Sequence, residues 1–533
     1  MKTEHREEGQ PDTPPASGSP KPFLWGVATS GYQSEGGYNG PGQPQNNWSR
    51  SEAKGAVMNT GKAVEFWTRY EEDFQTCQEM GLNSFRLGLE WARIQPSSSQ
   101  RPESAPPFDF AALDGYADRL AACRCQGMEP VVTLHHFTHP AWLGADAWLQ
   151  ASTIDLFGEY VRTTVTYINR RLAAHHHQPP IRWFITINEP NMLVLNTYIG
   201  RQFPAGALYG PQRVLQAYNH LLAAHVRAYN YIHDLYLHEG WSPPQVSINT
   251  YSSDLYWSDK VLWDLLSLRE RQVAPTHLHE YIYDQAKRFE AAMVAANLPF
   301  RNDLPYQVGR LAHWISNWFG YRTFNSQHLN LYLHELEVSP RDSVFDYVAI
   351  DYYDPFLAHS FRLPTFSDFE FPTRGLPSWL MSGVMSKWWD WRSLPEGLHF
   401  FCTYYAQDFA PRPILIAENG MAMRRRPDNS IALHRPDQLL RSDFLQAHVQ
   451  QVLRLLSESV PIAGYMHWSL MDNYEWGSYT PRFGLLSIDF AKGTNRLVED
   501  HLGDRPSETY AHLIREAKFP SKSIEFRHAP QEP

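Results

Sequence analysis

Apolar residues along this chain fall into two alternating patterns. Short apolar runs stopped by polar or turn-forming residues read as buried strands, and longer stretches with apolar positions three and four apart read as helices. The strand pattern occurs at 23–29 (FLWGVAT), 84–96, 129–137, 181–191, 245–251, 345–353, 413–421 and 462–468. The helical spacing fills 64–80, where Val64, Trp67, Tyr70, Phe74 and Cys77 share a face ahead of Gly81. It returns at 113–126, 214–232, 395–409 and 442–458.

Eight strands with helices between them predict an α/β fold, a (β/α)8 TIM barrel with enlarged βα loops. At 533 residues and 43% hydrophobic content, the chain has the apolar surface for one large core. The barrel is expected as a single domain over 22–518. A polar, Pro-rich tail at 1–21 and a C-terminal tail at 519–533 flank it, the first expected to be disordered. Residues 257–336 read as a long, strongly helical insertion, and the Pro/Trp-rich piece 363–395 as a rim loop.

Two of the strands end alike. The run ILIA at 414–417 leads into Glu418 and then Asn419-Gly420, a pair that tolerates positive φ and marks a turn. The run WFITIN at 183–188 leads into Glu189-Pro190, and proline disfavours helix at the residue before it. If both strands run parallel in one sheet, their carboxyl ends share the face where α/β barrels hold ligands. A lone Glu there reads as a solvated charge. Two of them across a pocket are what glycosidic bond cleavage needs, one as proton donor and one as nucleophile or base.

Charge and composition narrow the alternatives. A net charge of -10 argues against a nucleic-acid partner, which would need a basic surface. Arg424-Arg425-Arg426 reads as a solvated loop. The glycines at 36, 37, 40 and 42 match neither GxxxxGK[ST] nor GxGxxG, so no nucleotide site is read there. His135, His136 and His139 invite a zinc site, but strand alternation sends the first two to opposite faces; no metal and no cofactor is assigned. His175-His176-His177 reads as part of a polar linker. Cys77, Cys123, Cys125 and Cys402 lack metal or disulfide spacing and read as reduced thiols. With no signal in the first twenty residues and no run of 18 apolar residues, the expectation is a cytoplasmic protein without a membrane span. The sequon Asn47-Trp48-Ser49 is then fortuitous.

With these motifs in place, the chain resembles glycoside hydrolase family 1, the β-glucosidase and β-galactosidase family. TINEPN at 186–191 and AENG at 417–420 are its most specific signatures, and matching pieces run from FLWGVAT at 23 to RFGLLSIDF at 482–490. The resemblance implies a retaining (β/α)8 enzyme with Glu189 as acid/base and Glu418 as nucleophile, acting on a small β-glycoside or oligosaccharide. It also implies that Gln33, His136, Asn188, Glu475 and Trp468 hold the terminal sugar, joined by Trp476. Arg86 falls on the family arginine beside the nucleophile and Tyr353 on the tyrosine that touches it. A carboxylate at Glu475 argues for an unphosphorylated sugar by like-charge repulsion.

The chain also departs from that pattern. It has Asp351 where relatives show Asn, Ala417 where they show Thr, and Phe137 where they show Trp. Asp351 brings a further acid near the pair. The insertion at 257–336 has two readings: a cover over the rim that shapes an apolar aglycone site, or extra scaffold. A transglycosylase would use the same residues, and a non-catalytic glycan-binding relative would usually have lost one glutamate. The preferred sugar and the oligomeric state stay open.

Overall fold

The computed structural model describes residues 23–99, 102–299, 304–356, 392–426, 428, 432–433, 435 and 437–517. The tails expected at 1–21 and 519–533, and residues 363–391 of the rim loop, lie outside the described residues.

The eight strands form a closed parallel barrel: β1 (Leu24–Ala28), β2 (Ser84–Gly88), β3 (Glu129–Thr133), β4 (Trp183–Asn188), β5 (Gln245–Tyr251), β6 (Val348–Tyr352), β7 (Ile414–Asn419) and β8 (Ile462–Trp468). Neighbours follow chain order, and β8 returns to β1 with Leu24 opposite Gly464 and Ala28 opposite Trp468. The strands are buried on both faces, so their sequences are near-continuous apolar runs. Alternation sorts them into two cores. Leu24, Val131, Trp183, Ile185, Leu415, Ala417 and Met466 fill the barrel. Phe85, Leu87, Phe184, Ile414, Ile416 and Tyr465 face the helices. Each aliphatic side chain so buried stabilises the fold by roughly 1.5–3 kcal/mol. Where strands approach most closely only glycine fits: a Cβ on Gly464 would lie 2.6 Å from the Leu24 Cβ.

Several elements differ from their sequence reading. The strand expected over 84–96 stops at Gly88, and Trp91–Ile94 is a helical turn that buries Trp91 and Ile94 three positions apart. The strand at 129–137 stops at Thr133. His175 and His176 belong to the last turn of a helix, Ser152–His176, and not to a linker. That helix continues because Ile168, Asn169 and Leu172 keep its buried stripe intact, and His177 caps it with φ 53°. The insertion between β5 and β6 is helical as expected, with helices Lys260–Leu266, Leu278–Ala295, Leu304–Thr323 and Asn330–Val338.

Two irregularities shape the mouth of the barrel. Between β6 and β7 the register slips by one, from Ile350 opposite Ile416 to Asp351 opposite Glu418. Between β4 and β5 it slips from Ile185 opposite Ser247 to Asn188 opposite Asn249. Such bulges re-aim the side chain after them. Thr186 and Ile187 both face the helical layer, the first bonded to His225 Nδ1 at 2.6 Å. Asn188 and Glu189 are thereby returned to the barrel mouth.

Candidate active site

Each glutamate sits at a carboxyl end of its strand, but for reasons the sequence shows only in part. Glu189 comes just after β4 in the left-handed region, with φ 37°, and Pro190 opens helix Pro190–Tyr198 immediately after it. Glu418 lies inside β7 after the register slip. The turn expected at Asn419-Gly420 uses no positive φ. Gly420 is instead required by contact, since a Cβ there would meet the Trp468 carbonyl oxygen at 2.1 Å.

The two carboxylates converge. One oxygen each of Glu189, Asp351 and Glu418 lies within 4.8 Å of the others. Arg86, fully buried on β2, donates through Nη1 to Glu418 Oε1 at 2.6 Å and to the Ala417 carbonyl at 3.2 Å. Its Nε donates to Thr133 Oγ1 at 3.0 Å, and its Nη2 to Asn188 Oδ1. The Tyr353 hydroxyl donates to the other oxygen of Glu418 at 2.7 Å. Asn249 Nδ2 ties the set together by donating to Asn188 Oδ1 at 2.8 Å and to Asp351 Oδ2.

The environments push these acids unequally. Burial raises Glu189 well above the usual carboxylate range, and the charge of Glu418 raises it further. Asp351 is also raised well above its range, by burial first and then by Glu418 and Glu189. Burial raises Glu418 too, but Arg86 and Tyr353 oppose it. Arg86 thus counters burial at Glu418 without cancelling it. Glu189 and Asp351 are hydrogen-bonded to each other, so a proton held there belongs to the pair. Three carboxylates at this spacing offer one oxygen each to a divalent ion, yet the Arg86 guanidinium already supplies a cation among them.

The remaining expected residues line or brace the same cavity, of about 460 Å³. His136, Asn188, Tyr353, Trp468, Glu475 and Trp476 line it together with both glutamates. The His136 ring is stacked between Trp468 and Trp476, with centroids 5.7 Å from each. Burial and the Arg86 charge hold His136 well below the usual histidine range, so it is neutral, and its Nδ1 has no partner among the described residues. Glu475 accepts from Trp468 Nε1 at 3.0 Å and from Gln33 Nε2 at 3.2 Å. Gln33 braces Glu475 from behind and also donates to the Tyr474 carbonyl at 2.8 Å. Glu35, two residues on from Gln33, lies away from the cavity, paired with Arg93. His135 points away from the cavity and accepts from Trp148 Nε1 at 3.2 Å, while His139 contacts the Gly144 carbonyl at 2.9 Å. The three histidines do not converge on a metal. Sequence reasoning gave no role to Thr133, or to Tyr251, which stacks on Tyr353 at 5.7 Å; neither carries a motif.

A closed (β/α)8 barrel with acids and a buried cation gathered at one mouth defines an enzyme of the barrel class. Residues 17–501 match the family described as Glycosyl hydrolase family 1, and the chain belongs to that family; it is a glycoside hydrolase. It is 26% identical to Beta-glucosidase A of Thermotoga maritima over 90% of this chain and 95% of that one. It is equally 26% identical to 6-phospho-beta-galactosidase 1 of Streptococcus pneumoniae, over 88% of this chain and 94% of that one. Among solved structures, the Thermotoga maritima β-glucosidase in complex with galacto-hydroximolactam superposes with a TM-score of 0.63 at 22% identity, covering 94% of this chain and 99% of that one. The β-glycosidase from Pyrococcus horikoshii gives 0.61 at 21% identity, covering 94% and 96%. These two likenesses speak to the fold. No helix among the described residues is long and apolar enough to cross a membrane.

Proposed function

We propose that the chain is a retaining β-glycosidase that removes a terminal, unphosphorylated β-linked sugar by double displacement. The observation that carries this reading is the approach of Glu189 and Glu418 to within 4.8 Å in unlike settings. Retaining enzymes hold their two carboxyl groups about 5–5.5 Å apart, close enough for direct attack without an intervening water. Glu418, held toward its charged form by Arg86 and Tyr353, attacks the anomeric carbon. Glu189, whose burial favours the neutral form, gives its proton to the leaving oxygen. A covalent glycosyl-enzyme results, and Glu189, now ionised, draws a proton from the water that releases the sugar. Asn188, fixed by Arg86 and Asn249, is set to bond a ring hydroxyl, and Trp468 and Trp476 offer flat faces to the sugar.

Two features support an unphosphorylated substrate. Glu475 puts a carboxyl group at the sugar end, and none of the described residues lining the cavity is Lys or Arg. Phosphate recognition draws on such cations. The same two features argue against transferring to this chain the phosphorylated substrate named for the streptococcal relative.

The decisive experiment is Glu418→Gly assayed on aryl glycosides with a good leaving group. Turnover falls by about 10⁴-fold or more, the scale set by loss of one member of a catalytic unit. Added azide restores it and gives a glycosyl azide of inverted configuration. Unchanged hydrolysis in the variant removes Glu418 from the mechanism. The chemistry needs no cofactor, so activity survives a chelator.

A further inference from the structure

The cavity changes character along its length. Its floor is carboxylates and indoles; toward the mouth the lining becomes Met192, Leu195, Leu215, Trp257, Phe319 and Phe324. Helix Leu304–Thr323 of the insertion supplies Ser316, Phe319, Gly320 and Thr323 to this outer half.

That helix is amphipathic in the reverse sense. Two of its polar side chains turn toward the body of the protein: His313 Nε2 lies 3.0 Å from Asp254 Oδ2, and Asn317 Oδ1 accepts from Trp257 Nε1 at 2.8 Å. Gly320 lets it lie flat on Trp257, whose ring a Cβ would meet at 2.0 Å. Four of its apolar side chains turn outward, with Leu311 60%, Trp314 64%, Ile315 49% and Trp318 48% exposed. These positions are three and four apart and form one stripe. A surface helix that only filled space would show the opposite arrangement. Phe319 is both 44% exposed and part of the cavity wall, so the stripe runs without a break from the mouth onto the outer surface. An exposed apolar patch continuous with a binding cavity marks a surface that something apolar covers.

We propose that the occupant is the hydrocarbon tail of the substrate: a β-glycoside of a long-chain alcohol, its sugar on the carboxylates and its chain passing Phe319 to lie along Ile315 and Trp314. This rests on the glycosidase reading above. It assigns the insertion a part in substrate choice rather than scaffold alone.

A series of alkyl β-glycosides from methyl to dodecyl, with the sugar held constant and below micelle-forming concentration, tests it, with a nitrophenyl glycoside as reference. The expected kcat/KM rises by up to about fourfold per methylene removed from water, chiefly through KM. Leu311→Glu with Trp314→Glu, both outside the cavity lining, lowers the dodecyl value more than tenfold and leaves the nitrophenyl value unchanged. A flat series with nitrophenyl turnover intact overturns the proposal and leaves the glycosidase reading standing; no turnover on any aryl glycoside overturns that reading instead. A wild-type dimer that the double variant converts to monomer, with no chain-length effect in either, assigns the stripe to a second copy of the chain and likewise overturns the proposal.

Discussion

Two arginines near the same strand, one buried and one largely so, solve one electrostatic problem in different ways. Arg86 of β2 meets Glu418 beside the cavity. Arg93, in the helical turn just past β2, meets Glu35 at 2.9 Å in closed surroundings. There Tyr116 donates to the other oxygen of Glu35 at 2.8 Å, Tyr38 adds a further bond, and the guanidinium donates to the Gly36 carbonyl at 2.7 Å while lying over the Trp67 ring at 4.0 Å. Glu90, next to this cluster, is likewise enclosed and accepts from Thr138 at 2.9 Å. Both clusters pair a buried acid with a cation largely withdrawn from solvent. Among the described residues, only the first opens onto a void large enough for a substrate. Burial and pairing make a strong ion pair; the adjoining space is what makes it available for chemistry.

The comparison breaks most visibly at Glu189. Glu189→Gln is expected to cut kcat by about 10²–10⁴, the usual weight of one general acid, and by less on aryl glycosides that leave without a proton. Its urea midpoint stays at or above that of the parent, since a carboxyl that must take up a proton on folding has been replaced by a group neutral in both states. Glu35→Gln should do the reverse. With Arg93 buried against a neutral partner, stability falls by about 3 kcal/mol in urea titration, while kcat of the folded enzyme is kept. A parallel fall in kcat would mean that the closed cluster positions Gln33 and is part of the site after all.

A smaller effect separates Glu90 from the acids at the cavity. Burial raises its carboxyl to about 8, against about 4.3 in an unfolded chain. Between these values the native state holds a proton that the unfolded state has released, so stability is full at the acid end and falls as pH rises through the window. Glu90→Gln is expected to flatten that fall by about 1.4 kcal/mol per pH unit at most, read from melting temperatures across the range. The smallest change is at Asp351. Asp351→Ala removes the side chain whose hydrogen bond lowers Glu189, which raises the pH at which Glu189 gives up its proton, so the alkaline limb of kcat/KM moves toward alkali. An unmoved limb would mean that Asp351 takes no share in the proton of the pair.

Periodicity made some of this legible and hid the rest. The bounds of β5 and β8 come from uninterrupted runs between clear breaks, and the glutamates stand out because strand and turn residues flank both. Two things were invisible. The register slips before Asn188 and Glu418 depend on partner strands far away in sequence, so no local pattern announces them. The run 84–96 reads as one strand because Trp91 and Ile94 are as apolar as any strand residue, and only helical packing distinguishes them. The helix Leu304–Thr323 shows why its face could not be assigned: its apolar stripe is obvious, but the usual inference sends such a stripe inward.

The seam between β1 and β8 bears on how the chain is made. The first barrel strand has the last as a neighbour, and Arg86 is synthesised 332 positions ahead of the carboxylate that will neutralise it. A nascent chain halted before β7 therefore carries an open sheet with two bare edges and a cation awaiting its counter-charge. Such a species invites pairing with other chains, so the danger to this protein is concentrated in the interval before its final stave emerges.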